Sequence, residues 1–493
     1  MSRTESGVAR LPFLDGLRGL AALYVLLHHA ALAVSPAGLS GVGLAIRFGL
    51  RHGHFAVAVF IVLSGFCLMR PVVHEPAGRL RGGLWPYLGR RARRIVPPYY
   101  AALGFSWLLI VLVPALGHPP RTWWDRALPV FGGWNAVSHL LLVHNLSVHW
   151  FFKIDPPSWS VATEWQIYLL FPALLVVWRR WGITAAVAAG FAIGYGVACL
   201  AGPFGNPALR QACPWYVGLF ALGMAAAAAS RAGERPAVEE RSRGRWPTVA
   251  LCLVALSLAG LALSGRDDRE FMAGDPLVGV LTGLLLVRCT RLATSGGAPS
   301  GARMGLFRRW RDAGHAIDLR RFRCANRSAQ QTLSRTASSF KRPVEPGVAC
   351  PESSMGVVLF PGGLATPVED SRRATRPHEP PWEGGSVTTT APRSPLLRLL
   401  EGRWAVGLGA VSYSLYLVHY PLLALADAVL RSRAWSADAR LAAQLLVAVP
   451  VCLLAAVVFH RLFERPFLAD SAGSARRAGI KRGRAVWASE FAD

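Results

Sequence analysis

The chain is dominated by apolar stretches, each close to the length that an α-helix needs to cross a bilayer, with polar segments between them. In a bilayer a single segment satisfies its backbone polar groups only as a helix, so these stretches predict helices and not strands. The predicted class is an all-α, polytopic membrane protein with about ten transmembrane helices. We predict them over residues 11–34, 55–73, 96–116, 159–178, 183–201, 212–229, 247–264, 275–290, 404–430 and 441–463.

Arginine is distributed unevenly between the loops of this predicted bundle. The loops after the second, fourth, sixth and eighth helices are rich in arginine, as is the C-terminal tail, whereas the other loops are poorer. Cytoplasmic loops of membrane proteins carry the excess of Lys and Arg. The alternation therefore predicts that both termini are cytoplasmic.

Two segments depart from this pattern. Residues 130–148 could form an eleventh span, but that would place an arginine-rich loop outside, so we predict a re-entrant or interfacial helix on the outer side. Residues 296–398 are rich in Gly, Pro, Ser, Thr and Arg without a helical or strand period, which predicts a disordered cytoplasmic insertion or a frame artefact. The predicted organisation is a transmembrane core over 8–295 (helices 1–8), the insertion over 296–398, helices 9 and 10 over 399–468, and a basic cytoplasmic tail over 469–493.

The composition narrows the class of partner. A net charge of +26 would suggest nucleic acid for a soluble chain, but 53% of the 493 residues are hydrophobic and the arginines lie between apolar spans. Membrane topology explains the charge, so we predict a lipid bilayer as the surroundings and no nucleic acid as a partner. The eight cysteines show no CxxC or zinc-like spacing, which predicts neither a metal site nor a disulfide framework.

Arg18 and His29 lie eleven residues apart in the first apolar helix. At 100° per residue their side chains point within roughly 20° of each other, about 16 Å apart along the helix axis. Each polar side chain in a bilayer costs on the order of 2–3 kcal/mol unless it faces protein or water, so a shared face favours a functional use. Asp15 can pair with Arg18 at a spacing of three residues. The alternative for His29 is a histidine packed at a helix interface.

Glu164 lies about one turn inside the outer end of the predicted fourth helix, at a depth similar to that of His29. A carboxylate that bonds one imidazole nitrogen fixes the tautomer and leaves the other nitrogen as a base. Matched depth thus suggests that Glu164 orients His29. The alternative is that Glu164 caps a helix or pairs with another buried donor.

Two further groups of polar residues could contribute to a site. Arg91 and Arg94 belong to a basic run at the predicted cytoplasmic mouth, where guanidinium groups suit a phosphate-bearing donor. Ordinary positive-inside topology or anionic lipid explains the same run. Ser412, Tyr416 and His419 share a stripe of the ninth helix and could line a polar cavity, or could serve as interhelical hydrogen-bonding residues.

Six motifs, which follow one another along the chain in the family's order, resemble the acyltransferase 3 family of bacterial membrane-bound O-acyltransferases. They cover about residues 8–295 and 398–468, although Ala56 and Ile61 depart from the usual second-helix motif. The motifs run from Leu14 to His29, from Phe60 to Phe66, from Arg91 to Pro97, from Trp159 to Tyr168, from Ser412 to Pro421 and from Glu464 to Phe467.

This resemblance implies a multi-pass protein of the bacterial inner membrane that passes an acyl group, acetyl being favoured, from cytoplasmic acyl-CoA to a hydroxyl of a sugar or glycosylated acceptor. It implies no cofactor beyond acyl-CoA as co-substrate. Arg18 and His29 become the expected catalytic motif, and Glu164 matches a characteristic family glutamate. The residues expected to bind donor or substrate are Arg91, Arg94, Asp15, Ser64, Tyr168, Tyr416 and His419. A transporter or flippase, or a non-catalytic membrane scaffold, are the alternative functions.

Overall fold

The computed structural model describes residues 11–113, 133–232, 269–295 and 394–467, and the regular structure in these segments is helical throughout. The predicted seventh span, the 469–493 tail and the predicted insertion up to residue 393 lie outside the described residues. The helices are α1 (Pro12–Leu32), α2 (Gly41–Gly49), α3 (Gly53–Val73), α4 (Leu84–Leu112), α5 (Gly133–Leu140), α6 (Ser158–Trp181), α7 (Ile183–Cys199), α8 (Ala208–Gln211), α9 (Tyr216–Ala232), α10 (Arg269–Ser295), α11 (Pro395–Leu400), α12 (Arg403–Arg431) and α13 (Ala437–Phe467).

Seven helical segments in this part of the chain are long and apolar enough to cross a membrane. They are Gly41–Val73, which joins α2 and α3, together with Leu84–Leu112, Ser158–Trp181, Ala208–Arg231, Phe271–Thr294, Arg403–Arg431 and Ala437–Phe467. The helix α7 is apolar but has only 17 residues, and the polar residues of α1 reduce its hydropathy. The architecture is thus that of a polytopic helical membrane protein, as the apolar pattern predicts.

The basic run at 90–94 lies within a helix. The helix α4 begins at Leu84, well before the predicted start of this span at residue 96, and it continues through Pro97 and Pro98. Arginine is a good helix former, so the polar loop residues extend the apolar helix by more than two turns. As a result Arg91 and Arg94 share one face of a rigid helix, three residues apart.

Glycines allow close backbone contact between α1 and the helices α11 and α12. A Cβ atom added at Gly16 would overlap the carbonyl oxygen of Leu400, and one added at Gly19 would overlap that of Ala405. From the opposite side, a Cβ at Gly409 would overlap the backbone oxygen of Asp15. Small residues permit this close backbone approach in membrane bundles. The contact therefore places α12 directly against the helix that carries Arg18 and His29.

A second glycine contact joins α3 to α9. A Cβ at Gly65 would overlap the backbone of Phe220, and one at Gly223 would overlap the backbone of Val62. The small residues of the second-span motif thus serve close helix packing, and Ser64, next to Gly65, is left facing α6.

The segment between α4 and α6 contains only short helices among its described residues. The helix α5 has eight residues, too few to cross a bilayer, and a single 3-10 turn follows at His144–Leu146. The residues of 133–157 pack over the start of α6, with Asn135, His139, His144 and Asp155 buried.

Candidate active site

His29 and His419 form a hydrogen-bonded pair between α1 and α12, which we call the imidazole pair. His29 Nδ1 lies 2.8 Å from His419 Nε2, and the ring planes are inclined by 18° with their centroids 5.0 Å apart. His419 Nδ1 lies 3.0 Å from the carbonyl oxygen of Leu415, one turn earlier in α12. The chain of hydrogen bonds from His29 through His419 thus ends on a backbone carbonyl oxygen.

Aromatic rings enclose the imidazole pair. The ring of Tyr420 meets His29 edge-on at 5.7 Å between centroids, and the ring of Tyr416 lies 5.8 Å from that of His419. His419 is only 1% exposed, whereas His29 is half-buried. His419 is therefore fixed by its surroundings, and His29 is the more accessible member of the pair.

Glu164 does not orient His29, contrary to the expectation from matched depth. The Glu164 carboxylate accepts hydrogen bonds from Ser64 Oγ at 2.6 Å and from Tyr168 Oη at 2.5 Å, both on the same oxygen. Depth along the membrane normal sets the height of a residue but not the neighbouring helix that it faces. Glu164 faces α3, whereas the ring of His29 faces α12.

Arg18 lies in a charged group of residues that includes Glu164. Its guanidinium is 3.7 Å from the Asp15 carboxylate and donates to Cys67 Sγ at 3.2 Å. Glu164 and Tyr168 contribute to the electrostatic surroundings of Arg18. We call this group the inner network; its members are Asp15, Arg18, Ser64, Cys67, Glu164 and Tyr168. Cys67 was not predicted, because a lone cysteine in an apolar run carries no sequence signal beyond packing.

Arg91 extends the inner network toward the predicted cytoplasmic mouth. Tyr168 and Tyr87 are among the groups that act electrostatically on Arg91, and Tyr87 Oη donates to the backbone oxygen of Tyr168 at 3.0 Å. Of the four arginines in the basic run, Arg93 alone is exposed, whereas Arg90, Arg91 and Arg94 are half-buried.

The three residues of the predicted stripe on the ninth span, Ser412, Tyr416 and His419, form hydrogen bonds with different partners. Ser412 Oγ donates to the backbone oxygen of Gly409 in its own helix. Tyr416 Oη lies 2.6 Å from Ser160 Oγ and donates to the backbone oxygen of Pro157 at 3.1 Å. His419 alone reaches α1. These positions share a face of α12 without lining one common hydrogen-bonded site.

The 133–157 segment contains buried titratable groups. The rings of His139 and His144 stack at 4.1 Å, and His144 Nε2 lies 3.2 Å from Ser158 Oγ. Burial lowers the pKa of His139 and, more strongly, that of His144. Burial also raises the pKa of Asp155 well above its ordinary value. The carboxyl group of Asp155 is therefore expected to be protonated over a wide pH range.

A separate acidic group joins the middle of α12 to α13. Ser414 Oγ donates to Glu464 Oε2 at 2.5 Å, and His460 Nδ1 lies 2.8 Å from the same oxygen. His460 and Glu464 form the ends of a π-helical turn in α13. The sequence motif that begins at Glu464 thus fastens α13 to α12. Within the described residues, no three His, Cys, Asp or Glu side chains are grouped as a metal site.

The comparison with known proteins identifies the same family that the sequence motifs resemble. The acyltransferase domain of the acyltransferase 3 family matches residues 11–294. The chain is 26% identical to the peptidoglycan O-acetyltransferase OatA of Listeria monocytogenes over 35% of its length and 25% of the relative's. It is 30% identical to the acyltransferase MdmB of Streptomyces mycarofaciens over 37% of its length and 45% of the relative's.

Each match thus spans less than half of the relative, and no solved structure matches the chain. The family domain covers more than half of the 493 residues. These residues include both Arg18 and His29 as well as the whole inner network. The chain belongs to the acyltransferase 3 family.

Proposed function

We propose that this protein is an integral-membrane O-acyltransferase. It moves an acyl group, with acetyl as the first candidate, from acyl-CoA on the cytoplasmic side of the bacterial inner membrane to a hydroxyl of a sugar or glycosylated acceptor. The observation that carries the proposal is the imidazole pair, whose member His29 lies on the helix that also bears Arg18. The family membership and the O-acetyltransferase name of a relative support the reaction class.

The inner network suits the donor. Arg91 and Arg94 present two guanidinium groups on one face of α4, and guanidinium forks bind phosphate oxygens well. Arg18 lies deeper in the bundle, with Cys67 and Asp15 beside it. An elongated donor with its phosphates at Arg91 and Arg94 would extend its thioester past Arg18 toward His29.

His29 is the proposed general base. In the reaction it removes the proton of the acceptor hydroxyl while the hydroxyl oxygen attacks the thioester carbonyl carbon. The new C–O bond forms, the C–S bond breaks, and CoA leaves as a thiolate that takes the proton back from His29. A positioned base of this kind contributes about 10²- to 10⁴-fold in rate. Arg18 lies about 16 Å from His29 along the helix axis, so it would contact the phosphate-bearing donor and not the reacting carbonyl.

The test uses inverted membrane vesicles, which expose the predicted cytoplasmic face. Acetyl-CoA labelled in its acetyl group is added outside, and the saccharide fraction is examined for alkali-labile, covalently bound label. We expect label in vesicles that contain the protein and none in vesicles from cells that lack it. Uptake of intact saccharide or donor without covalent labelling would instead favour a transporter and would overturn the proposal.

A further inference from the structure

We propose that His419 is a positioning residue that sets the tautomer of His29 and thereby makes His29 Nε2 the basic nitrogen. The catalytic consequence rests on the proposed function, but the tautomer assignment does not. The sequence pattern suggested a donor- or substrate-binding role for His419, and Glu164 as the partner of His29. The geometry points to a different arrangement, in which one histidine orients the other.

The assignment follows from the direction of two hydrogen bonds. The carbonyl oxygen of Leu415 can only accept, so the His419 Nδ1 that lies 3.0 Å from it carries a hydrogen. A charged imidazolium in this buried position is costly, so His419 is neutral and its Nε2 holds a lone pair. His29 Nδ1, 2.8 Å away, must therefore donate. A neutral His29 then holds its own lone pair on Nε2.

The packing keeps this direction from reversing. Reversal would require His419 Nδ1 to release the Leu415 oxygen and present a lone pair to a carbonyl group. Tyr416 lies beside the ring of His419, and the carbonyl oxygen of His419 receives the Cys452 thiol at 3.8 Å. The glycine contact between α1 and α12 holds the two helices that carry the imidazoles close together. The backbone of α12 thus determines which nitrogen of His29 is basic.

The chain offers graded variants of His419. In His419→Gln, the amide oxygen can reach the position of Nε2 and accept from His29. In His419→Asn, the shorter amide can still donate to the Leu415 oxygen but falls short of His29. His419→Leu fills the space and accepts nothing. His149, which is exposed in the outer loop, supplies a matched histidine control as His149→Gln.

The first readout is the protonation of the ring nitrogens. Protein labelled with ¹⁵N-histidine is reconstituted in lipid, and its imidazole signals are recorded by solid-state NMR, with the His29 signals identified by their loss in His29→Gln. We expect a hydrogen on Nδ1 and none on Nε2 of His29 in the wild type and in His419→Gln. In His419→Leu and His419→Asn we expect a substantial Nε2–H population. A wild-type His29 with its hydrogen on Nε2 would overturn the assignment.

The second readout is steady-state acetyl transfer. We expect His419→Leu and His419→Asn to lower kcat on the order of 100-fold with little change in KM for acetyl-CoA. His419→Gln should recover most of this loss, and His149→Gln should leave kcat unchanged. An unchanged kcat in His419→Leu together with the altered tautomer would refute the positioning role.

The two readouts separate the failure of this inference from failure of the proposed function. If wild-type protein transfers no acetyl group yet shows the Nδ1–H tautomer that His419→Leu abolishes, the assignment holds and the proposed reaction fails. If transfer occurs but the tautomer is indifferent to every His419 variant, the reaction stands and the role of His419 is overturned. Should His419→Leu fail to accumulate in the membrane, the tautomer and the kcat of His419→Asn distinguish the same two outcomes.

Discussion

The helix α1 contributes His29 to the imidazole pair and both Asp15 and Arg18 to the inner network, yet the two groups handle polarity in opposite ways. The inner network balances charges: Arg18 has Asp15 and Glu164 in its surroundings, and Glu164 accepts two hydroxyl donors. The imidazole pair is linked by a chain of two hydrogen bonds that ends on a backbone carbonyl. A buried ion needs counter-charges, whereas a neutral base needs only a fixed direction for its lone pair.

Two buried groups of the 133–157 segment also favour their uncharged forms. Burial lowers the pKa of His144 and raises that of Asp155. This segment thus differs from the inner network, where a carboxylate lies beside a guanidinium.

The largest expected effect disturbs both regions at once. Gly409→Ala adds a Cβ atom that would overlap the backbone oxygen of Asp15, so α1 and α12 must separate. We expect a loss of about 3 kcal/mol or more in the free energy of unfolding, because a backbone cannot relax as a side chain can. Gly407→Ala is the matched control, since nothing lies within 4 Å of its added Cβ. Thermal stability in detergent measures both; equal losses would contradict the close contact.

The next effect should fall on the inner network alone. Glu164→Ala removes the acceptor of Ser64 and Tyr168 and part of the negative charge near Arg18. We expect a stability loss of about 2–3 kcal/mol and a raised KM for acetyl-CoA, because two buried hydroxyl groups lose their partner. The ¹⁵N signals of His29 should stay as in the wild type. A change of the His29 tautomer in Glu164→Ala would show that the two regions are not separate.

A smaller effect tests the donor end. Arg91→Ala and Arg94→Ala should each raise KM for acetyl-CoA by about tenfold, the equivalent of one charge-assisted contact. Arg93→Ala should have little effect, because Arg93 is exposed on the other side of α4. Equal effects of all three substitutions would indicate general attraction to the basic surface and not a face-specific site.

The smallest expected effect concerns Asp155, a buried carboxyl group of the 133–157 segment. The pKa of Asp155 is higher in the folded state than in the unfolded state. Between these two pKa values the folded state binds more protons, so the free energy of unfolding falls as the pH rises through this window. Asp155→Asn removes this dependence, with a difference in slope of about 1 kcal/mol per pH unit inside the window. Melting temperatures at pH 5 and pH 6 measure this difference of about 1 kcal/mol. Parallel curves for wild type and variant would mean that Asp155 is ionised when folded.

The sequence predicts those features that depend on a single helix. The apolar stretches identify most of the spans, and the eleven-residue spacing places Arg18 and His29 on one face. Contacts between helices are less accessible: His29 and His419 are 390 positions apart. Glu164 was assigned to the wrong partner because depth alone does not determine which helix it faces. The overlap at Gly409 likewise becomes visible only when α1 lies against α12.

The role of His29 as the base is the central claim, and one measurement tests it most directly. Acetyl transfer from acetyl-CoA to the saccharide fraction is compared between wild type and His29→Ala at equal membrane abundance, with His149→Ala as the control. The account predicts that His29→Ala lowers kcat by about 10²- to 10⁴-fold while acetyl-CoA still binds, and that His149→Ala retains wild-type activity. Full activity of a folded His29→Ala protein would contradict it.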